Sequence, residues 1–277
     1  MTILVLGATG KTGRRVLRRL REQGEKVRGA SRSAETRFDW DDPSSWAGAV
    51  RDIESVYLIA PDDPAPIEAF VEQAVAAGVR RFVVLSGRGV DQIGEGFAAG
   101  MGVADRAVRA SAAEWTILRA NNFDQNFDED LWRAPLLAGR LALPAGEVGE
   151  PFIDLEDVAD VAAAVLTRPG HEGRIYDLSG PESLTFAQAT EAISTAAAAC
   201  RTKRRCANSA AVEWPSDLHA RACTGSGMTA TIAQIARKSI CAPTYADSTI
   251  RMTHDCTGSE ILVTVGPVGP AAVRSTG

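Results

Sequence analysis

The residues with the clearest chemical signature form a glycine-rich turn close to the start of the chain. Residues 7–13 read Gly-Ala-Thr-Gly-Lys-Thr-Gly, directly after a short apolar run and directly before a helical pattern. In that setting Gly7 permits a tight turn, Gly10 lets the backbone approach a pyrophosphate, and Gly13 lets the helix lie close to the strand. The helix N-terminus adds about half a positive charge, which favours a phosphate group. The residues predicted to bind a dinucleotide here are Gly7, Thr9, Gly10, Lys11, Thr12 and Gly13.

Two other interpretations of this turn can be compared with the dinucleotide site. Gly10-Lys11-Thr12 matches the end of a nucleoside-triphosphate loop, but that motif requires glycine five positions before Gly10, where Val5 stands. A triphosphate loop is therefore excluded. The remaining alternative is a structural turn that binds no ligand.

The choice between NAD(H) and NADP(H) is expected to depend on the end of the second strand. An acidic residue there would accept a hydrogen bond from the ribose 2′-hydroxyl. The chain instead has Ser31-Arg32-Ser33, and an arginine flanked by hydroxyls suits a 2′-phosphate. The sequence therefore predicts NADP(H) in preference to NAD(H), the alternative being an ordinary surface arginine. Asp39 and Trp40 are expected near the adenine, although Trp40 could simply pack in the core.

Polar and aromatic side chains follow the later strands. Asn121, Asn122, Phe123 and Asn126 come after the sixth strand, on the side of a parallel sheet where a substrate crevice lies, although an asparagine there could equally cap the next turn. Ser86 ends the fifth strand, where it either orients a substrate or only terminates the strand. Further cofactor contacts are predicted at Ala60, Pro61, Ser86 and Met101.

These residues need a scaffold, and the first 196 residues alternate short apolar strands with amphipathic helices. This alternation predicts an α/β fold, a doubly wound parallel sheet of the Rossmann type with a smaller C-terminal substrate lobe. Strands are predicted at residues 3–6, 27–31, 37–40, 55–60, 81–86, 115–118 and 174–178, and helices at 11–23, 64–78, 102–112 and 155–167.

Composition excludes several classes of protein. The 277 residues are 45% hydrophobic and carry a formal charge of −5, and no apolar run is long enough to span a bilayer. With no signal-peptide pattern, a cytoplasmic location is expected. No basic patch lies near aromatic residues, so no nucleic-acid partner is expected, and the basic run at residues 11–21 is predicted to be the solvated face of a helix. Oligomeric state is left open.

The composition changes near residue 196. Residues 197–277 have 9 basic and 5 acidic side chains, against 21 and 30 before them, and contain all five cysteines. The cysteines lack the close pairs of zinc sites, so no metal is predicted. We expect a binding core over residues 1–195, with a substrate-side insertion at about 121–150, and a divergent, poorly ordered segment over 196–277. That segment is either a divergent lobe or the product of a shifted reading frame. Within it, residues 232–238 are helix-like and 260–265 strand-like.

Residues 1–195 resemble a known family. The segments that carry the resemblance are GATGKTG at 7–13, FDWDDPSSW at 38–46, VYLIAP at 56–61, FVVLS at 82–86 and EWTILRANNFDQNF at 114–127. They look like the NmrA-like, atypical short-chain dehydrogenases, in the branch that contains agroclavine dehydrogenase. The resemblance implies an NADP(H)-binding core and, for some members, reduction of iminium, enone, quinone or azo compounds.

The resemblance also exposes a difference from ordinary short-chain dehydrogenases. Those enzymes use a Tyr-x-x-x-Lys pair to protonate the substrate, and the two counted positions here hold Phe97 and Met101. Neither can transfer a proton, so the expected substrate is one that needs little acid assistance, with solvent or Ser86 helping and Phe97 lining the pocket. This difference fits two functions: an NADPH-dependent oxidoreductase acting on a small electrophile, or a non-catalytic NADP(H)-sensing protein that binds a regulator.

Overall fold

The computed structural model describes residues 1–92, 96, 98–207, 244–246, 249–253 and 260–265. Strands and helices alternate along the chain. The strands that follow one another through the first 180 residues are β1 (Thr2–Leu6), β2 (Lys26–Ser31), β3 (Thr36–Arg37), β4 (Ser55–Ile59), β5 (Arg81–Gly87), β6 (Glu114–Ala120) and β7 (Arg174–Ser179). The helices are α1 (Gly13–Glu22), α2 (Trp46–Val50), α3 (Ile67–Ala76), α4 (Ala99–Ala110), α5 (Arg133–Leu137), α6 (Leu155–Thr167) and α7 (Phe186–Ala207).

The sheet has the strand order of a doubly wound fold. Seven parallel strands lie in the order β3-β2-β1-β4-β5-β6-β7, so the order reverses between β1 and β4. In such sheets the ligand crevice lies outside the carboxyl ends of the strands at this reversal. Three further strands, β8 (Thr244–Ala246), β9 (Thr249–Thr253) and β10 (Glu260–Val265), extend the sheet, with β10 antiparallel to β7. The predicted Rossmann fold is confirmed.

Alternating side chains of the strands form two cores, one on each face. Ile3 and Val5 of β1 point to the face covered by α1 and α6, while Leu4 and Leu6 point to the face covered by α2, α3 and α4. Both faces are buried, which explains why the central strands β1, β4 and β5 are mostly apolar. A third, smaller cluster joins Phe127 and Trp132 to α7. This cluster attaches the residues after β6 to the first turns of α7.

Most predicted elements lie where the sequence placed them, with shifts at their ends. β3 covers only residues 36–37, and α4 starts at residue 99. The strand-like run at 260–265 is β10, whereas residues 232–238 lie outside the described residues. Helix α7 continues through the predicted division at residue 195. Among the described residues, none of the helices combines the length and the apolar character needed to cross a membrane.

Candidate functional site

The glycine turn has the backbone geometry that its sequence predicts. Gly7 has a φ of +62°, a conformation that L side chains rarely adopt, and its carbonyl accepts a 2.8 Å hydrogen bond from the amide of Gly10. A Cβ atom on Gly13 would lie only 2.2 Å from the Gly7 carbonyl oxygen. Helix α1 therefore starts in direct contact with the end of β1, and only glycine fits at position 13.

The start of α1 is open to an anion. Thr12, its N-cap residue, makes no capping hydrogen bond through its side chain, and the first turn contains no acidic residue. The amides of Arg14 and Arg15 already donate to the carbonyls of Gly10 and Thr12, but the positive end of the helix dipole still attracts negative charge. This combination fits a phosphate group at the turn.

Three hydroxyl groups meet beside the turn. Thr9 donates a hydrogen bond to Ser31 over 3.1 Å, Ser33 donates to Thr9 over 3.3 Å, and the Ser33 amide donates to the Ser31 hydroxyl over 3.2 Å. Arg32 is exposed next to them. The structure thus brings together the end of β2 and the glycine turn, two regions that the sequence predicts to bind the ribose 2′-phosphate and the pyrophosphate of one dinucleotide.

The predicted adenine residues are partly engaged in packing. Trp40 packs edge-to-face against Phe38 and Phe70, with ring centroids 5.0 Å apart in both pairs. The backbone carbonyl of Asp39 accepts a 2.8 Å hydrogen bond from the indole of Trp46. The indole of Trp40 thus packs in an aromatic cluster that also holds Asp39, and contact of either residue with an adenine stays a prediction.

Ala60 and Pro61 lie at the end of β4, directly under the start of α4. A Cβ atom on Gly100 would lie 1.8 Å from the carbonyl oxygen of Pro61, so α4 approaches this turn as closely as backbone allows. Met101 follows, with its sulfur 3.4 Å from the position that a Cβ on Gly87 would take. Ala60, Pro61, Gly87 and Met101 therefore meet at the carboxyl edge of the sheet. Gly100 was not singled out from sequence, because only the packed helix reveals its role.

Ser86 lies beneath this edge rather than on it. Its side chain is 2% exposed and points to the face covered by α4, beside Asp105. Asp105 is also buried and lies 3.4 Å from Arg119 of β6, which pairs with Asp91 at 2.9 Å. Burial raises the pKa of Asp105, while the Ser86 hydroxyl and the Arg119 guanidinium act in the opposite direction. Asp105 and Arg119 were missed from sequence, although an acid at an apolar helix position was a usable signal.

The four residues predicted after β6 are divided by burial. Asn121 is buried and donates from its amide to the carbonyl of Pro151, and its Oδ1 lies 3.5 Å from Nη1 of Arg88. Asn122 is exposed, Phe123 is half-buried, and Asn126 is buried. Phe97 lies outside the described residues. Of these four residues, Asn122 and Phe123 are therefore the two that are accessible to a substrate. Residues 121–132 are called the post-β6 segment below.

A cluster of carboxyl groups is buried between the post-β6 segment and the start of α6. Asp124 is 3% exposed and lies close enough to Asp128 and Asp154 to feel their charges. Burial, and then the charges of Asp154 and Asp128, raise the pKa of Asp124 to about 7. Between them, Gln125 donates to Asp154 over 2.8 Å and accepts from the amide of Leu155 over 2.9 Å. These contacts dock the segment onto the start of α6, and sequence reasoning did not find them.

The basic run at residues 11–21 is only partly the solvated helix face that the sequence predicts, since Arg14, Arg18 and Arg21 are exposed but most of its arginines form ion pairs. Arg15 is buried, and both Arg14 and Arg15 pair with Glu129 of the post-β6 segment. Two further arginines of α1 pair with acidic residues of α6, Arg18 with Glu156 and Arg19 with Asp160. The sequence did not reveal these ion pairs, since the acidic partners lie more than a hundred residues further along the chain.

Comparison with known proteins places this geometry in context. Residues 7–169 match the profile of a family described as NAD(P)H-binding. The chain is 36% identical to the uncharacterized oxidoreductase YesF of Bacillus subtilis, covering 70% of this chain and 71% of YesF. It is 31% identical to an NAD(P)H azoreductase of Xenophilus azovorans, covering 70% and 73% of the two chains. Its fold matches triphenylmethane reductase of Citrobacter sp., solved with NADP(H), with a TM-score of 0.62 and 22% identity over 70% and 75% of the two chains.

Proposed function

The chain belongs to the NAD(P)H-binding family of NmrA-like, atypical short-chain dehydrogenases, and we propose that it is an NADPH-dependent reductase of small electrophilic compounds. Iminium, quinone, enone and azo compounds are the substrate classes that this proposal includes. The relatives reported above include a named oxidoreductase and a named azoreductase, which supports a reductase.

The single observation that carries the proposal is the fit of the glycine turn to a phosphorylated dinucleotide, together with the adjacent hydroxyl groups of Thr9, Ser31 and Ser33, here called the hydroxyl corner. Gly13 leaves no room for a side chain above Gly7, and the uncapped start of α1 can accept the pyrophosphate. Thr9, Ser31 and Ser33 offer hydroxyl groups, and Arg32 a cation, to a ribose 2′-phosphate. Bound there, the reduced cofactor supplies a hydride.

Side chains of the post-β6 segment and of α4 are proposed to contact the substrate. The proposal places the substrate beside Asn122 and Phe123 of the post-β6 segment and Met101 of α4, which offer two apolar side chains and one amide. Among the described residues we assign no hydroxyl group as the acid of the crevice: Ser86 is buried, and Tyr57 and Tyr176 lie in the core between the sheet and α6. A substrate that accepts hydride with a proton from solvent suits this arrangement, and the buried side chain of Ser86 is assigned no contact with the substrate.

Two measurements test the proposal. Fluorescence titration with NADPH and NADH measures binding, and NADPH oxidation is followed with a quinone, an azo dye and an iminium compound in parallel. Tight NADPH binding with turnover of one acceptor is the expected result. Binding without turnover of any acceptor would favour the sensing function, and a protein that binds neither nucleotide would contradict both functions.

A further inference from the structure

A set of charged contacts joins the post-β6 segment to the glycine turn at residues 7–13, here called the cofactor turn, and to helix α1. Lys11, inside the turn, donates to Asn126 over 2.6 Å and to Asp130 over 2.5 Å, and its ammonium lies 5.4 Å from the centre of the Phe123 ring. One helical turn later, Arg15 forms two hydrogen bonds with the carboxylate of Glu129, of 2.6 and 3.1 Å. These contacts join residues 112 to 119 positions apart in sequence.

The pair of Arg15 and Glu129 differs from an ordinary surface ion pair. The Arg15 side chain is 8% exposed, and its remaining donors bind the carbonyl of Lys11 at 2.8 Å and Glu156 at 3.0 Å. A planar guanidinium held by several acceptors in a fixed geometry loses little further entropy when it binds a carboxylate. Because Arg15 is buried, removing an acceptor leaves charge that water cannot fully solvate.

Hydrogen bonds within the post-β6 segment transmit this anchoring to the crevice. The amide of Asn126 donates to the carbonyl of Phe123 over 3.0 Å, and the amide of Trp132 donates to the carbonyl of Asn126 over 2.9 Å. Fixing residues 126–130 therefore fixes Phe123 three positions earlier. Asn126, which the sequence suggested as a substrate contact, has its side-chain oxygen occupied by Lys11.

We propose that Lys11, Arg15 and Glu129 are positioning residues, which hold the post-β6 segment against the cofactor turn and so place Phe123 at the substrate crevice. The role of the crevice rests on the proposed function, whereas the anchoring itself does not. Lys11 belongs to the turn assigned to the pyrophosphate, so the same short stretch of chain contacts the cofactor site and the substrate side.

Hydrogen exchange measured by mass spectrometry on the full chain tests the anchoring without any ligand. Glu129→Gln keeps the side-chain size and removes the charge. Asp160→Asn is the matched control, since Asp160 pairs with Arg19 of the same helix but lies on α6. Amides of residues 124–132 are expected to exchange about tenfold faster in Glu129→Gln and at the wild-type rate in Asp160→Asn.

Three results would overturn the anchoring. They are unchanged exchange in Glu129→Gln, an equal increase in both variants, and an increase in Glu129→Gln that extends equally to β1 and β4, which would indicate global destabilisation. A second readout addresses the crevice. With methyl red as an azo acceptor, Glu129→Gln is expected to raise KM about tenfold while the Kd of NADPH stays within about twofold.

The two proposals fail in different ways. A wild-type protein that binds no NADPH contradicts the proposed function, and the exchange experiment still decides the anchoring. A protein that reduces methyl red with the same KM in Glu129→Gln and wild type supports the proposed function and contradicts the positioning role.

Discussion

Thr9 and Ser31 form a 3.1 Å hydrogen bond between their hydroxyl groups, which joins the glycine turn to the carboxyl end of β2. Ser33 extends the contact by donating to Thr9. Residues 31–33 contain no carboxylate, and Arg32 is exposed beside them. A 2′-hydroxyl would find no acidic acceptor among these residues, whereas a 2′-phosphate would find several donors and one positive charge.

The first prediction follows from this corner. Wild-type protein is expected to bind NADPH more tightly than NADH, and Arg32→Ala should reduce that preference. Losing one charged hydrogen-bonding group costs about 1.5–3 kcal/mol, or roughly 10- to 100-fold in affinity. Fluorescence titration with both nucleotides measures the effect. Arg21→Ala, which removes an exposed arginine at the other end of α1, serves as the control. Equal affinities of the wild type for the two nucleotides would contradict the prediction.

The second prediction separates binding from folding in the glycine turn. A Cβ on Gly10 would lie 3.2 Å from the Gly7 carbonyl oxygen, a tight contact that small shifts relieve, whereas on Gly13 it would lie at 2.2 Å. Gly10→Val is therefore expected to fold, with a stability loss of about 1 kcal/mol, and to bind neither nucleotide. Gly13→Ala is expected to lose about 2–3 kcal/mol of stability, because backbone must move to admit the methyl group.

Urea denaturation and nucleotide titration of both variants measure these effects. A folded Gly10→Val variant that binds NADPH like the wild type would show that the pyrophosphate does not approach the chain here. A Gly13→Ala variant as stable as the wild type would show that α1 and β1 can separate at no cost.

The fold and the cofactor side of the site could be predicted from local sequence. The glycine turn is defined by neighbouring residues between a strand and a helix, and the hydroxyl corner forms because β1 and β2 are adjacent parallel strands that end together. Strand ends are fixed once the strand order is fixed, so residues after β1, β2 and β4 meet at one edge.

The substrate side could not be predicted in the same way. The post-β6 segment returns across the sheet to α1, and no local pattern specifies that path. The pairing of Arg15 with Glu129 depends on that path. The close approach of Gly100 to Pro61 depends on how α4 packs against the sheet. Asp124, Asp128 and Asp154 look like ordinary polar loop residues in sequence, and only the packed structure shows that they are buried together.

The third prediction concerns the source of the proton. Met101→Ala and Phe97→Ala are expected to change KM or stability, and not to cause the loss of about 10²- to 10⁴-fold in kcat that follows removal of a general acid. Burial raises the pKa of Tyr57, and Tyr176 is bound to His171 in the core at 2.8 Å. The pH–rate profile of the wild type should therefore show no tyrosine limb near pH 10. A limb that disappears in Tyr57→Phe or Tyr176→Phe would show that a tyrosine acts as the acid.

The fourth prediction concerns the buried carboxyl cluster and the pH dependence of stability. Asp124 has a pKa of about 7 in the folded chain, against a value of 3.8 for an unperturbed aspartate. Between these two values the folded chain binds more protons than the unfolded chain. The stabilising contribution of protonated Asp124 is therefore complete below about pH 4 and is lost as the pH rises through about 7.

Asp124→Asn cannot ionise, so its free energy of unfolding should not carry this loss. The difference in stability between the variant and the wild type is expected to grow in favour of the variant by about 3 kcal/mol from pH 5 to pH 8, since each pH unit between 5 and the folded-state pKa of about 7 contributes about 1.4 kcal/mol. Urea denaturation at intervals of one pH unit measures the difference, with Glu182→Gln as a control that removes an exposed carboxyl group. If the stability curves of the wild type and Asp124→Asn ran parallel over this range, Asp124 would be ionised throughout, and burial beside Asp128 and Asp154 would not control its charge.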